Sequence, residues 1–235
     1  MAGILVALII SWIILYLIEK ENLLALGFLP SSKRINQFLS GFAITALLCI
    51  GVKYFEATLQ SSSWVLNSNI TFPIVVQAFW WDFKSVFTEE LIFRGAILYV
   101  LIQRLGTNKA VLISAACFGI YHWFSFGILG NLVPMILIFI GTGFSGYVWA
   151  LAFTKTKSIL LPLGLHLGWN FVHNTVFSNG PLGDLILITY EGEELTGYLS
   201  LLNFAAGMII VPLIQLIYVR YVVSENNDEL ISEKA

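Results

Sequence analysis

Long apolar segments separated by short polar ones dominate the 235 residues of the chain. Seven of these segments are long enough to be membrane-spanning helices, since a span needs roughly 20 mainly apolar residues. They lie at about 2–18, 38–59, 73–103, 110–127, 132–153, 158–177 and 197–222. The pattern predicts an all-α, polytopic helical bundle, a single transmembrane domain over 1–235 with a polar tail at 224–235.

Details of individual segments refine this interpretation. The first segment has no positive n-region and no small-residue cleavage site, so we expect a retained helix and not a signal peptide. The third is longer than a bilayer requires, so we expect it to tilt, break or extend beyond the lipid. Gly141 and Ser145, and likewise Gly164 and Gly168, have helical spacing and would allow two helix backbones to approach closely. The alternative is that glycine is simply common in such helices.

Composition and charge exclude several classes of protein. The chain is 58% hydrophobic and 11% charged, whereas soluble domains are about 45–50% apolar and about 25% charged. The formal net charge of −2 provides no basic field, so we expect a lipid bilayer and no nucleic acid as partner. Only two cysteines are present, which excludes a disulfide framework and a cysteine-based zinc module.

The basic residues between the segments predict an orientation. The alternate loops at about 60–72, 128–131 and 178–196 contain no Lys or Arg. The other loops and the C-terminal end contain Lys20, Lys33, Arg34, Arg104, Lys109, Lys155, Lys157, Arg220 and Lys234. Because basic residues concentrate on the cytoplasmic side, this asymmetry places the N-terminus outside and the C-terminus in the cytoplasm. That orientation requires an odd number of spans, which agrees with seven.

The third segment carries charges that a bilayer disfavours: Asp82, Lys84, Glu89, Glu90 and Arg94. Each costs roughly 2.5–3.5 kcal/mol at a helix centre, so together they must pair, neutralise or line a wet cavity. Glu90 and Arg94 are four residues apart and can pair on one helix face. Glu89 is turned by about 100° from Glu90 and is free to point elsewhere. A purely structural ion network remains the alternative.

All three histidines of the chain fall within predicted spans, at His122, His166 and His173. His166 and Asn170 are four residues apart on one helix face, and His173 follows on that face. Counted at 1.5 Å per residue from the nearest cytoplasmic basic residue, Glu89, His122 and His166 lie about 22, 20 and 14 Å deep. A base, two imidazoles and an amide could therefore meet in one intramembrane pocket.

These residues belong to three short motifs. EELIFR (Glu89–Arg94), FGIYH (Phe118–His122) and HLGWN (His166–Asn170) occur in that order on three predicted spans. They resemble the E-E-x-x-x-R, F-x-x-x-H and H-x-x-x-N/D motifs of the CPBP family. This family comprises CAAX prenyl proteases and bacteriocin-processing proteins, is also called Abi, and includes the Ras-converting enzyme. The motif-bearing catalytic core covers about 73–177.

The resemblance implies peptide-bond hydrolysis within the membrane and assigns roles to the motif residues. It implies that Glu89 activates water with the assistance of His122. It also implies that His166 and Asn170 bind the oxyanion, while Glu90 and Arg94 hold the site together. His173 lies outside the motifs, and we expect it to have a packing role.

The need for a metal stays open at this point. Family members are often labelled metalloproteases, and Glu89 with both motif histidines could form a three-ligand zinc site. Glu90 would then have to be the base, although its face matches Arg94. The H-E-x-x-H zinc motif is absent from the sequence. We therefore expect a glutamate-dependent, metal-free mechanism with no cofactor, and retain zinc as the alternative.

Two other function classes use similar residues. A proton-coupled transporter also places Glu and His within the membrane, although no inverted repeat is evident in this sequence. A non-catalytic scaffold or immunity protein of the same fold is the second alternative. For the protease, we expect a membrane-associated protein or peptide as substrate. The short chain favours a bacterial plasma membrane.

Overall fold

The computed structural model describes residues 2–224, so the predicted polar tail lies outside the described residues apart from Ser224. The described part is mainly helical, as predicted. Its helices are α1 (Ala2–Glu19), α2 (Ser32–Gln60), α3 (Phe72–Phe93), α4 (Ala96–Leu105), α5 (Thr107–Ser125), α6 (Leu132–Thr156), α7 (Leu160–Asn170), α8 (Gly197–Ala205) and α9 (Val211–Ile217). A short 3₁₀ turn covers Leu23–Leu26, and π-helical turns cover Phe171–Val176, Ala206–Ile210 and Tyr218–Val222. We call the continuous stretch Gly197–Val222 the last helix.

The third predicted segment is not one continuous helix. The chain bends at Arg94 and Gly95, and this bend separates α3 from α4. A Cβ atom at Gly95 would lie only 2.1 Å from the carbonyl oxygen of Leu91, so the bend requires a glycine there. The count of residues from Arg104 therefore does not measure the depth of Glu89. The segment at 73–103 is thus broken, which is one of the three outcomes expected from its length, and the depth of Glu89 counted along a continuous helix does not hold.

Helix α7 lies at the centre of the bundle because its glycines admit a neighbouring backbone. Cβ atoms at Gly164 and Gly168 would lie 2.3 and 2.4 Å from the carbonyl oxygens of Phe38 and Phe42 on α2. No larger residue fits at either position, which confirms the close approach that their spacing predicts. Every residue from 161 to 168 is buried. The second and third motif helices, α5 and α7, both pack against α6.

The loops form two groups at opposite ends of α2. At one end, β1 (Ser63–Leu66) pairs antiparallel with β2 (Leu187–Tyr190), a small sheet that the sequence pattern did not predict. At the other end, the Ile159 N–H donates to the carbonyl of Leu26 at 3.0 Å. The first group joins two loops without basic residues, and the second joins loops that contain them.

Three helices of the described region are long and apolar enough to cross a membrane: α2, α6 and the last helix. Helix α1 is apolar but shorter. The motif helices α3, α5 and α7 do not meet the same criterion. Helix α3 carries the charged residues discussed above, and α7 has only 11 residues before its π-helical turn.

Candidate active site

The first motif places two adjacent carboxylates in different surroundings near the end of α3. Glu90 is fully buried and forms a bidentate ion pair with Arg94, whose Nε donates to Glu90 Oε2 at 2.6 Å. The guanidinium carbon of Arg94 lies 4.4 Å from the ring centre of Phe118 and 5.2 Å from that of Trp149. Because helical spacing puts Glu90 and Arg94 on one face, the pair forms as predicted.

The same carboxylate also orients a histidine from α7. His166 Nδ1 lies 2.8 Å from Glu90 Oε1, and the imidazole is 4% exposed. An ionised carboxylate can only accept, so Nδ1 carries the proton of this hydrogen bond. The other ring nitrogen, Nε2, lies 3.9 Å from Oε2 of Glu89. His166 thus stands between the two carboxylates of the first motif.

Glu89 has fewer hydrogen-bond partners than Glu90. Its side chain is 17% exposed, whereas that of Glu90 is completely buried. Within the part of the chain that the structure describes, Glu89 Oε2 has no hydrogen-bond partner. The imidazole within 4 Å of this carboxylate is that of His166, and no such contact with His122 is present among the described residues. The motif histidine that lies next to Glu89 is therefore His166 of α7 and not His122 of α5.

The second motif fixes His122 through its own helix. His122 Nδ1 lies 2.8 Å from the carbonyl oxygen of Phe118, one turn earlier on α5. The carbonyl can only accept, so Nδ1 is the donor and Nε2 is left without a proton in the neutral ring. The Phe118 ring packs edge-on against both motif histidines, at 4.5 Å from His122 and 6.0 Å from His166. Phe118 therefore spaces the two imidazoles.

One cavity connects the second and third motifs. It has a volume of about 100 Å³ and is lined by His122, His166 and Asn170, which were predicted to meet. Since a water molecule occupies about 30 Å³ in the liquid, a few waters or one small side chain would fill this space. Glu89 is not among the residues that line the cavity, but its carboxylate lies 3.9 Å from Nε2 of His166, which does. Three predicted residues from two helices therefore line one cavity, and the fourth, from α3, is next to one of them.

The remaining charged residues of the third predicted segment and the third histidine lie outside this cavity. Asp82 is fully buried and accepts hydrogen bonds from Asn174 Nδ2 at 2.7 Å and Thr175 Oγ1 at 2.8 Å. These bonds tie α3 to the π-helical turn after α7. His173 stacks on Trp169, with ring centres 5.9 Å apart, which agrees with a packing role.

Sequence reasoning missed two residues that contact the site from other helices. Trp149 of α6 stacks on His166, with ring centres 4.1 Å apart and planes inclined by 21°. Its Nε1 donates to Oε1 of Gln215, which lies in the last helix. Neither residue belongs to a motif. The one signal in the sequence was that Gln215 is a polar residue within a long apolar segment.

A catalytic zinc site would need three protein ligands. Over residues 2–224, no cluster of three or more His, Cys, Asp or Glu side chains is arranged to hold a metal ion. Glu90 is committed to Arg94 and to Nδ1 of His166. The alternative ligand set of Glu89, His122 and His166 is therefore not assembled in this structure.

Comparison with known proteins bears on the identity of this site. Residues 71–172 match the family model described as type II CAAX prenyl endopeptidase Rce1-like. No curated protein and no solved structure matches the chain. The matched segment contains all three motifs, and the family is one of membrane peptidases. With its apolar helices, the protein is an integral membrane protein. Through residues 71–172, the chain is similar to the Rce1-like type II CAAX prenyl endopeptidases.

Proposed function

We propose that the protein is an intramembrane endopeptidase that hydrolyses a peptide bond of a membrane-associated protein or peptide with glutamate-activated water. One observation carries this proposal. The Glu89 carboxylate lies 3.9 Å from Nε2 of His166, and His166 lines one cavity together with His122 and Asn170. A base, hydrogen-bonding imidazoles and an amide donor are the groups that amide hydrolysis requires.

In this mechanism Glu89 is the general base. It removes a proton from a water molecule in the cavity while the water oxygen attacks the carbonyl carbon of the substrate. His122 orients that water, because its Nε2 accepts a hydrogen bond while Nδ1–H is held by the carbonyl of Phe118. The proton held by Glu89 then passes to the amide nitrogen as the C–N bond breaks. The products are a carboxylic acid and an amine, and Glu89 is regenerated.

The negative oxygen of the tetrahedral intermediate needs donors, and Asn170 provides one through its side-chain N–H. His166 has its Nδ1–H directed at Glu90, so its Nε2 donates only when both ring nitrogens are protonated. We therefore assign Asn170 as the neutral donor and His166 as a donor in its imidazolium form. Glu90 and Arg94 hold this imidazole in place, much as a buried aspartate orients the histidine of a serine protease.

The glutamate mechanism differs from a zinc mechanism in its response to chelation. We expect full activity after exhaustive treatment with a chelator that reaches the cavity, and no stoichiometric metal by elemental analysis. A zinc enzyme would lose activity on chelation and regain it with added metal. One tightly bound zinc per chain, released by His122→Ala, would overturn the metal-free mechanism but would leave the peptidase assignment standing.

We further propose seven membrane crossings with the N-terminus outside and the C-terminus in the cytoplasm. The two groups of loops support this orientation, because the β1–β2 sheet joins loops without basic residues. Reporter fusions at residue 65 and at the C-terminus should report opposite sides of the membrane. Reports from the same side for both fusions would refute this topology.

The experiment that tests the proposed function is a comparison of membrane proteomes. Cells that produce the wild type should contain cleaved protein termini that are missing from cells with Glu89→Gln. Glu194→Gln, an identical change at an exposed loop residue, is the matched control and should give the wild-type pattern. Identical patterns for all three would reject the peptidase activity. The cleaved proteins would identify the substrate, and we expect the protein in a bacterial plasma membrane.

A further inference from the structure

His166 is held on two sides by different parts of the chain. Its edge is fixed by Glu90, whose Oε1 lies 2.8 Å from Nδ1. Its face is covered by Trp149, at 4.1 Å between ring centres and an inclination of 21°. A hydrogen bond to Nδ1 alone leaves the imidazole free to swing about that bond. The indole removes this freedom, because a stacked ring of its size permits only motion within the plane.

The position of the indole depends in turn on Gln215. Trp149 Nε1 donates to Gln215 Oε1 at 3.1 Å, and Gln215 Nε2 donates to Thr45 Oγ1 at 2.9 Å. An indole N–H can only donate, so it fixes the amide with Oε1 towards the tryptophan. Gln215 is 2% exposed. The amide is therefore a locked link between α6 and α2.

Gln215 and Thr45 both lie outside residues 71–172, the segment that matches the family model. Gln215 also lies among the cavity-lining residues, together with Gly207, Met208 and Val211 of the last helix. The last helix thus forms the wall opposite the motif residues. It also provides the hydrogen-bond acceptor on which the stacked indole depends.

We propose that Gln215 is a positioning residue, which acts through Trp149 to hold the His166 imidazole in its catalytic orientation. The proposal rests on the proposed peptidase function for its kinetic consequence, but the orientation itself can be measured without activity. Without the Gln215 acceptor, the buried indole N–H loses its partner. The indole then turns towards another acceptor, and its face no longer restrains His166.

The expected effect is on turnover and not on substrate binding. A displacement of about 1 Å at a reacting group can lower a rate by about 10²-fold. We expect Gln215→Leu to lower kcat by about 10- to 100-fold and to change KM by less than about threefold. Trp149→Phe removes the donor of the Trp149–Gln215 hydrogen bond and leaves Gln215 bound to Thr45. It should therefore also lower kcat while KM stays nearly unchanged.

A matched control separates positioning from loss of bundle stability. Tyr218, in the last helix, hydrogen-bonds to Ser40 of α2 at 2.8 Å. Tyr218→Phe therefore removes one bond between the same two helices without touching Trp149. We expect its unfolding temperature to fall, but by less than that of Gln215→Leu, which removes two buried hydrogen bonds, and we expect kcat to stay within about twofold of the wild type. Equal losses of kcat in both variants would overturn the proposal.

The direct test is the imidazole N–H signal of His166 in ¹⁵N NMR spectra of the full chain in detergent micelles, assigned with His166→Gln. The wild type should give a slowly exchanging Nδ1–H signal, unchanged in Tyr218→Phe. The signal should broaden or shift in Gln215→Leu and in Trp149→Phe. An unchanged signal in both variants would overturn the proposal. If the wild type cleaves no peptide, the peptidase proposal fails, and these spectra still decide the role of Gln215.

Discussion

The two adjacent glutamates of α3 stand at the boundary of two different regions. On one side, Glu90, Arg94 and Nδ1 of His166 form a closed network in which both carboxylate oxygens have charged or imidazole partners. On the other side, Glu89 lies 3.9 Å from Nε2 of His166, a cavity-lining residue, and has an oxygen without a hydrogen-bond partner among the described residues. One residue along the helix separates the two environments.

Under the proposed mechanism, this difference explains how the protein keeps the Glu89 carboxylate available as a base. A buried ion pair is stable only when hydrogen bonds satisfy its remaining atoms, and the Glu90 network meets that demand except at Arg94 Nη1, which has no hydrogen-bond partner among the described residues. That network also fixes the histidine next to Glu89. The closed region therefore provides rigidity, and the open region keeps a group available for chemistry. Variants of the closed region should mainly lower stability, whereas variants of the open region should mainly lower the rate of cleavage.

The largest effect on stability should come from Arg94→Ala. The change leaves Glu90 buried without its cationic partner, so we expect a loss of about 3–5 kcal/mol and poor yield. Arg104→Ala is the matched control, since Arg104 is 58% exposed and pairs with Glu19. A surface pair contributes only about 0–1 kcal/mol. Denaturant unfolding in detergent measures both, and a normal stability for Arg94→Ala would contradict the closed network.

Asn170→Ala should have its effect on the rate. It removes one donor to the oxyanion while the base remains, so we expect kcat to fall by about 10²–10³-fold with residual slow turnover. Asn131→Ala changes an exposed asparagine whose side chain makes no capping bond, and it should cleave like the wild type. If Asn170→Ala cleaves at the rate of this control, Asn170 is not an oxyanion donor.

A smaller effect is expected at Asp82, the other saturated carboxylate of α3. Asp82→Asn turns one acceptor into an N–H₂ group that faces the donors of Asn174 or Thr175. One buried mismatch of this kind costs about 1–3 kcal/mol. The unfolding temperature should therefore fall, while kcat falls less than in Asn170→Ala. A loss of cleavage without any loss of stability would place Asp82 in the open region instead.

Local spacing along a helix predicted much of the site. The i, i+4 relation of Glu90 and Arg94 was enough to predict their ion pair, because Arg94 caps the helix of Glu90 and its backbone N–H still donates to the Glu90 carbonyl at 2.8 Å. The spacing of Gly164 and Gly168 likewise predicted a close helix contact. These features need only the geometry of one helix, which a sequence specifies.

Features that depend on several helices could not be predicted in the same way. The length of the apolar segment allowed for a break, but hydropathy did not locate the bend at Gly95, since apolar residues continue on both sides of it. The partner of His166 that covers its face, Trp149, looked like any aromatic residue of an apolar helix. Its acceptor Gln215 is 66 residues further along the chain. Such contacts follow from packing, which no periodicity in one segment encodes.

The measurement that tests the account most directly compares Glu89→Gln with Glu90→Gln, each assayed both for peptide cleavage and for stability. Glu89→Gln should keep the unfolding free energy of the wild type and lower kcat by about 10²–10⁴-fold, since it removes a general base from the open region. Glu90→Gln should instead lose about 3–5 kcal/mol of stability, since Arg94 remains buried without its partner. Cleavage by Glu89→Gln at the wild-type rate, or equal destabilisation by both changes, would contradict the division of roles between the two glutamates.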